Sequence, residues 1–405
     1  MTISRQAADL LIEARWVLPI APRNIALAQH GVVIDAGRIV AVGPVDSLIA
    51  RYSPREHVAR PEHVLLPGFV NAHTRVSPAL TEAAHGAAPE DLRDLAQLAI
   101  ATMLRAGITT FATADARPDE VARIIAASRV RAAVGLPVSA DATRVWDEYR
   151  SNPWVSLYFA PSAAAATDDA TLRHLRTVAD ELDARIALPL KAGAVTHLNE
   201  LGLLRPGFSA LQPGELDEAE LTVLARTGSA IIACPEADVR THGGSCAPGR
   251  VLAHGIALAL GSGSPPLAAA DMLAQARAAA LLSHLHEGAR QALSAAAALQ
   301  LATQGGASVL GLGALVGTLE PGKAADLISI DLSSLGPATD LTAESVADAL
   351  VYRAVRDHVR DVWIAGRPAV ADRQLLTFDE AELRARAEHY RASAAPRAAS
   401  GAGAR

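Results

Sequence analysis

Cysteine is almost absent: Cys234 and Cys246 are the only two in 405 residues, too few for a disulfide framework. Lysine is equally scarce, with Lys191 and Lys323 standing against 35 arginines. The cations are scattered, not gathered into a basic stripe, and the net charge is −6, so nucleic acid is not an expected partner. No apolar run approaches the roughly 20 residues a membrane-spanning helix needs. The first residues, MTISRQAADLLIEAR, lack the continuous apolar core of a signal peptide. Together these absences predict a cytoplasmic protein with no membrane partner. Aromatic side chains are also few, 3% of a chain that is 50% hydrophobic and 20% charged. That balance excludes a mainly disordered chain and predicts a large aliphatic core.

Residues 9 to 66 read as short strands separated by turns, with Asp35-Ala36-Gly37 marking a tight turn between β-branched runs. From Leu65 the texture changes to short apolar runs alternating with amphipathic stretches, the signature of repeated βα units around a parallel sheet. Eight strands are predicted, at 65–73, 108–114, 131–138, 154–161, 185–190, 209–212, 230–236 and 256–262. Helical patterns fall at 90–106, 118–128, 168–183, 217–227, 248–254 and 267–285, while 139–153 and 193–204 carry no clear pattern. Eight buried strands in about 200 residues fit a (β/α)8 TIM barrel better than a six-stranded dinucleotide-binding sheet. After Leu310 the strand-and-turn texture returns. Neither chain end alone has enough strands to bury an apolar face, so they are expected to combine. The predicted organisation is α/β, with residues 1–64 as the first part of a small composite β-sandwich and 65–310 as the barrel. Residues 311–378 form the second part of the sandwich, and 379–405 a charged helix running into a disordered tail.

Six segments, in order, carry a family resemblance: LLPGFVNAHTR (65–75), MLRAGITTF (103–111), LGLLRPG (201–207), CPEADV (234–239), VGTLEPGKAADLISID (316–331) and VRDVWIAGRPAV (359–370). They resemble the amidohydrolase superfamily, in the branch of the 5-methylthioadenosine/S-adenosylhomocysteine deaminases and triazine hydrolases. The resemblance spans about residues 9 to 380 and implies a barrel with the active site plus a β-sandwich built from both chain ends. It also implies hydrolysis of non-peptide C–N bonds and a dimer. The family norm is a zinc or iron ion at the barrel mouth, where it lowers the pKa of a bound water to about 7.

At the positions this resemblance assigns to metal ligands, the residues change character. The first strand's His-x-His is His73-Thr74-Arg75, and Arg75 is an obligate cation with no lone pair to donate. The fifth strand's His falls at Leu188, and the Glu three residues on falls at Lys191. The sixth strand's His is Gln212, a weak amide ligand. The seventh strand's His before Cys-Pro is Ala233, and the eighth strand's Asp falls at Gly263. Only His73 keeps its chemistry. From this, no metal cofactor is expected.

Other constellations are poorer. His284 and His286 stand at i,i+2 on a helix and diverge. His242, Cys234 and Cys246 lack the paired-cysteine spacing of structural zinc sites. His73, Arg75, Lys191, Gln212 and Glu236 remain to line the mouth, where two cations suit a small carboxylate or phosphate ligand, or pair with Glu215 and Glu236. Three readings follow. One is a catalytically inactive pseudoenzyme with a degenerate metal site, retained for binding, regulation or as a subunit, in a homodimer or beside an intact paralogue. A second is an active hydrolase or deaminase of a cyclic amidine or nucleoside-like substrate with relocated metal ligands. A third is a metal-independent enzyme using Lys191 as base or nucleophile. The first is the expectation carried forward.

Overall fold

The computed structural model describes residues 5–76, 89–115, 117–161, 168–191, 193–242, 246–263, 270–288, 292–335, 341–386 and 388. Its N-terminal strands are β1 (Gln6–Val17), β2 (Leu27–Asp35), β3 (Arg38–Pro44) and β4 (Tyr52–Pro67); β1 is largely buried, and β2 and β4 carry continuous buried runs over residues 31–34 and 64–67. The barrel strands are β5 (Phe69–Thr74), β6 (Ile108–Thr113), β7 (Arg131–Leu136), β8 (Val155–Phe159), β9 (Ile186–Pro189), β10 (Phe208–Leu211), β11 (Ala230–Ala233) and β12 (Ala257–Leu260). The C-terminal region adds β13 (Leu327–Asp331), β14 (Val359–Ile364), β15 (Arg367–Ala371) and β16 (Gln374–Leu375).

Two eight-stranded sheets result, one ordered β16-β15-β14-β13-β4-β1-β2-β3 and the other β5 through β12 in sequence. In the first, β13 pairs antiparallel with β4, Ile328 opposite Leu66, so both chain ends do build one β unit. It is one continuous hydrogen-bonded sheet. The second sheet is parallel throughout, and each of its strands falls where the apolar runs predicted one. Its first and last strands meet without a regular ladder. His73 O accepts hydrogen bonds from Ser262 N and Gly263 N, both at 3.0 Å, and the Asn71 amide exchanges hydrogen bonds with Ser262. This seam nearly closes the barrel.

Local signals set the helix ends. Asp217 caps Glu218–Thr227 in a capping box with Glu220, and left-handed Gly228 stops it. Asp168 and Asp271 cap Asp169–Glu181 and Met272–Glu287. The two segments without a clear pattern contain the helices Ala140–Tyr149 and Val195–Glu200. The strand predicted to run to Glu236 ends at Ala233, because Pro235 opens the helix Pro235–His242, a first-turn position that suits proline's fixed φ and missing N–H.

Strand side chains divide by parity. Ala72, Ala112, Ala133, Tyr158, Ala187, Leu211, Ile232 and Ala259 meet inside the barrel, with Val309 plugging them from the N-terminal end. Their neighbours Phe111, Val134, Phe159, Leu188 and Ala233 face outward into the layer of helices. The C-terminal segment docks on the helix Pro89–Arg105 through buried Leu383 and the ion pairs Arg105–Glu380 and Arg386–Asp94. The expected tail beyond residue 388 lies outside the described residues. Among the described residues, no helix is long and apolar enough to cross a membrane.

Candidate functional site

The C-terminal ends of the eight strands form the mouth, where barrel enzymes place their chemistry. His73, near the end of β5, is 8% exposed, and its Nδ1 has no hydrogen-bond partner among the described residues. Burial, with the nearby Arg75 charge adding, lowers its pKa to about 4, so the imidazole is neutral at physiological pH and keeps a lone pair. Gly261 makes room for it: a Cβ there would stand 2.8 Å from His73 N.

Gln212 follows β10 with φ +45° and donates from Nε2 to Asp238 Oδ1 at 2.7 Å. The other oxygen of Asp238 accepts from Cys234 N at 2.9 Å, one of the donors a helix start leaves unpaired. This carboxylate is 1% exposed. Its signal in the sequence was the Cys-Pro-x-x-Asp spacing, read there as a family mark and not as a tie between strand end and helix. Burial pushes the Cys234 thiol up, and the Asp238 charge adds to the effect, leaving it protonated and unreactive. Gly263 lies in the same cluster with φ +72°, and a Cβ there would meet Ala237 Cβ at 2.9 Å. The eighth-strand position therefore has neither the backbone conformation nor the space for a carboxylate side chain.

His73, Gln212 and Gly263 are thus brought together. Leu188 and Ala233 are not, since both face the helix layer. On β9 the inward residues are Ala187 and exposed Pro189, neither able to coordinate. Arg75, Lys191 and Glu236 are exposed, and Glu236 accepts a hydrogen bond from Gln275 Nε2 at 2.6 Å. Tyr158 and Asp115, which the sequence did not single out, join the mouth. Burial raises the Tyr158 phenol, with Asp115 adding and Arg75 opposing. Thr113 Oγ1 donates to Asp115. Glu215 lies away from this cluster, lining a cavity of about 90 Å³ with Cys246, Arg250 and His286. His284 and His286 are exposed, and the side chain of His242 lies outside the described residues.

Among the described residues, no three His, Cys, Asp or Glu side chains are grouped to hold a metal ion. The fit to a family-type metal is therefore poor: the unpartnered buried Nδ1 of His73 is a suitable donor, and the other family positions offer none.

The Amidohydrolase family profile matches residues 64–199 and 196–369. A curated 5-methylthioadenosine/S-adenosylhomocysteine deaminase from Teredinibacter turnerae is 29% identical over 432 aligned residues, covering 95% of this chain and 97% of its own. The crystal structure of an adenosine deaminase from Xanthomonas campestris, with bound zinc, superposes with a TM-score of 0.90 at 32% identity, covering 97% of this chain and 100% of that one. A zinc-complexed atrazine chlorohydrolase from Arthrobacter aurescens shares the fold, with a TM-score of 0.80 at 19% identity over 94% of this chain and 99% of that one. The zinc of the 32% identical neighbour argues for a metal cofactor and corrects the expectation of none. That expectation took loss of the family's donor positions for loss of the ion, whereas donors elsewhere can serve a metal equally well.

Proposed function

The chain belongs to the amidohydrolase family, and from that premise we propose that it is a hydrolase acting on a non-peptide C–N bond. Its substrate is a cyclic amidine or nucleoside-like molecule held at the C-terminal mouth of the barrel. The observation that carries this reading is the end-to-end similarity to deaminases, at 32% identity and TM-score 0.90 for the zinc-bound adenosine deaminase. In the net reaction water replaces the exocyclic amine, with a C–O bond forming, the C–N bond breaking and ammonia leaving. The chain's own contribution is legible at three points. Neutral His73 presents an unpartnered nitrogen, alanines line much of the barrel interior, and the Gln212–Asp238–Cys234 chain fixes the strand ends beside it. Under this reading the metal donors are relocated, with His73 as the one imidazole retained at a family position. The sequence also carries His85 and Glu82, which lie outside the described residues.

A second reading, binding without turnover, is favoured by one observation: the left-handed Gly263 packed against Ala237, where the family's proton-handling carboxylate belongs. The Lys191 mechanism draws no support, because Lys191 is exposed to solvent and no base or acceptor is seen to orient it among the described residues.

Elemental analysis of the purified chain together with an ammonia-release assay on adenosine and 5-methylthioadenosine separates these readings. About one equivalent of metal and turnover, both lost in His73→Ala, is the expected outcome. Absence of turnover on these substrates and on triazines in metal-supplemented protein would overturn the hydrolase reading in favour of binding alone.

A further inference from the structure

We propose that Tyr158 sets the specificity of the mouth, its phenol donating a hydrogen bond to a ring nitrogen of the bound heterocycle; this rests on the nucleoside-like substrate proposed above. Tyr158 is the next-to-last residue of β8 and packs with the alanines inside the barrel. Gly135 stands opposite it in register on β7, and the end of the phenol fills the space that a side chain there would take. A Cβ on Gly135 would lie 2.9 Å from Tyr158 Cζ, 3.0 Å from its Oη and 2.8 Å from Ala160 Cβ. Gly135 is itself next to last in β7, and Ala160 is the first residue beyond β8. The hydroxyl therefore lies at the level of the strand ends, where the mouth begins.

Tyr158 is 6% exposed, yet no described residue exchanges a hydrogen bond with its Oη. Buried hydroxyls are nearly always paired, because an unpaired one forfeits its bonds to water. At the same mouth, His73 Nδ1 is in the same condition. Burial, with Asp115 adding, raises the phenol above its ordinary range, so it keeps its proton and can donate it to a hydrogen bond. The cluster around the ring is mostly alanine, with Leu211 and Ile232. Whatever part of a ligand reaches the phenol must be apolar apart from one acceptor, which describes the edge of a heteroaromatic ring and not a hydroxyl-rich sugar. A ligand lacking that acceptor would leave the donor unpaired, which is how such a site rejects it.

The test compares the full chain with its Tyr158→Phe variant, which loses the hydroxyl and keeps the ring. The ligands are adenosine and its 1-deaza, 3-deaza and 7-deaza analogues, each with a C–H in place of one ring nitrogen. Affinity is read by calorimetric titration, or as KM from ammonia release for a ligand that is turned over. In the wild type one analogue should bind about tenfold more weakly than adenosine. In Tyr158→Phe adenosine should weaken to match that analogue, closing the gap. The variant should melt at or above the wild-type temperature, because an unpartnered hydroxyl does not hold the fold together. Unchanged adenosine affinity in the variant, as a phenol satisfied by a trapped water would give, overturns the inference. So does a gap that persists in the variant, a wild type with no gap for any analogue, or a melting drop of more than about 2 °C. Ammonia release from adenosine undiminished in Tyr158→Phe would sink the role of the phenol and leave the hydrolase standing. A gap that closes, in a chain that releases no ammonia, would do the reverse. A wild type that binds none of the four ligands overturns the role of Tyr158 together with the nucleoside-like substrate.

Discussion

Replacing Asp326 with alanine should cut the tie between the two sheets. Asp326 belongs to the Lys323-Ala-Ala-Asp-Leu327 run just before β13, and Arg131 opens β7 of the barrel. Arg131 Nε lies 2.9 Å and Nη2 3.3 Å from the two carboxylate oxygens, with side chains only 6% and 1% exposed. Asp326 Oδ1 also accepts from Ala365 N at 2.8 Å, while Arg131 Nη1 donates to Pro153 O and the guanidinium lies over Trp154. Deleting the carboxylate leaves a buried guanidinium unpaired and an amide without its acceptor, a cost of about 3 to 5 kcal/mol. An unfolding entropy of about 2.1 cal/mol/K per residue, over the whole chain, gives a melting-temperature drop of roughly 4 to 6 °C. Thermal unfolding followed by circular dichroism reads this directly. The double substitution Arg131→Met with Asp326→Leu should recover most of the loss, because no charge is then left stranded. A drop under about 1 °C for Asp326→Ala, or a double variant as unstable as the single, would refute the assignment.

The remaining predictions concern the mouth. Gly263→Ala should destabilise the chain by about 1 to 3 kcal/mol, through its left-handed backbone and the contact with Ala237; a urea midpoint equal to wild type would contradict this. His73 titrates near pH 4 when folded and near its ordinary 6.5 when unfolded, so as pH falls from about 6.5 toward 4 the unfolded chain takes up the proton first and stability is lost. The loss is at most about 3 kcal/mol, and urea melts at the two ends of that window should converge for His73→Gln relative to wild type. Parallel pH profiles for the two proteins would show that His73 is not held neutral by the fold.

Much was written in the chain itself. Alternation of apolar runs with amphipathic stretches located all eight barrel strands, because a strand buried on both faces must be a short continuous apolar run and needs no distant partner to be recognised. The segments LLPGFVNAHTR and VGTLEPGKAADLISID carried the family, and the structure gives the second a physical reason in the Arg131–Asp326 pair. Helix caps at Asp168, Asp217 and Asp271 likewise act within a single turn.

Tertiary structure alone decided the rest. Sequence order assigned Leu188 and Ala233 to the site, but strand parity turns both toward the helices, and parity shows only when neighbouring strands set the inside of the barrel. The contacts between Gln212 and Asp238 and between Gly263 and Ala237 join residues from different strands and loops. Composition and periodicity are local quantities and fix local geometry. A mouth is a closure property: its charge, its room and its unpartnered nitrogen exist only once eight strands have come round to meet.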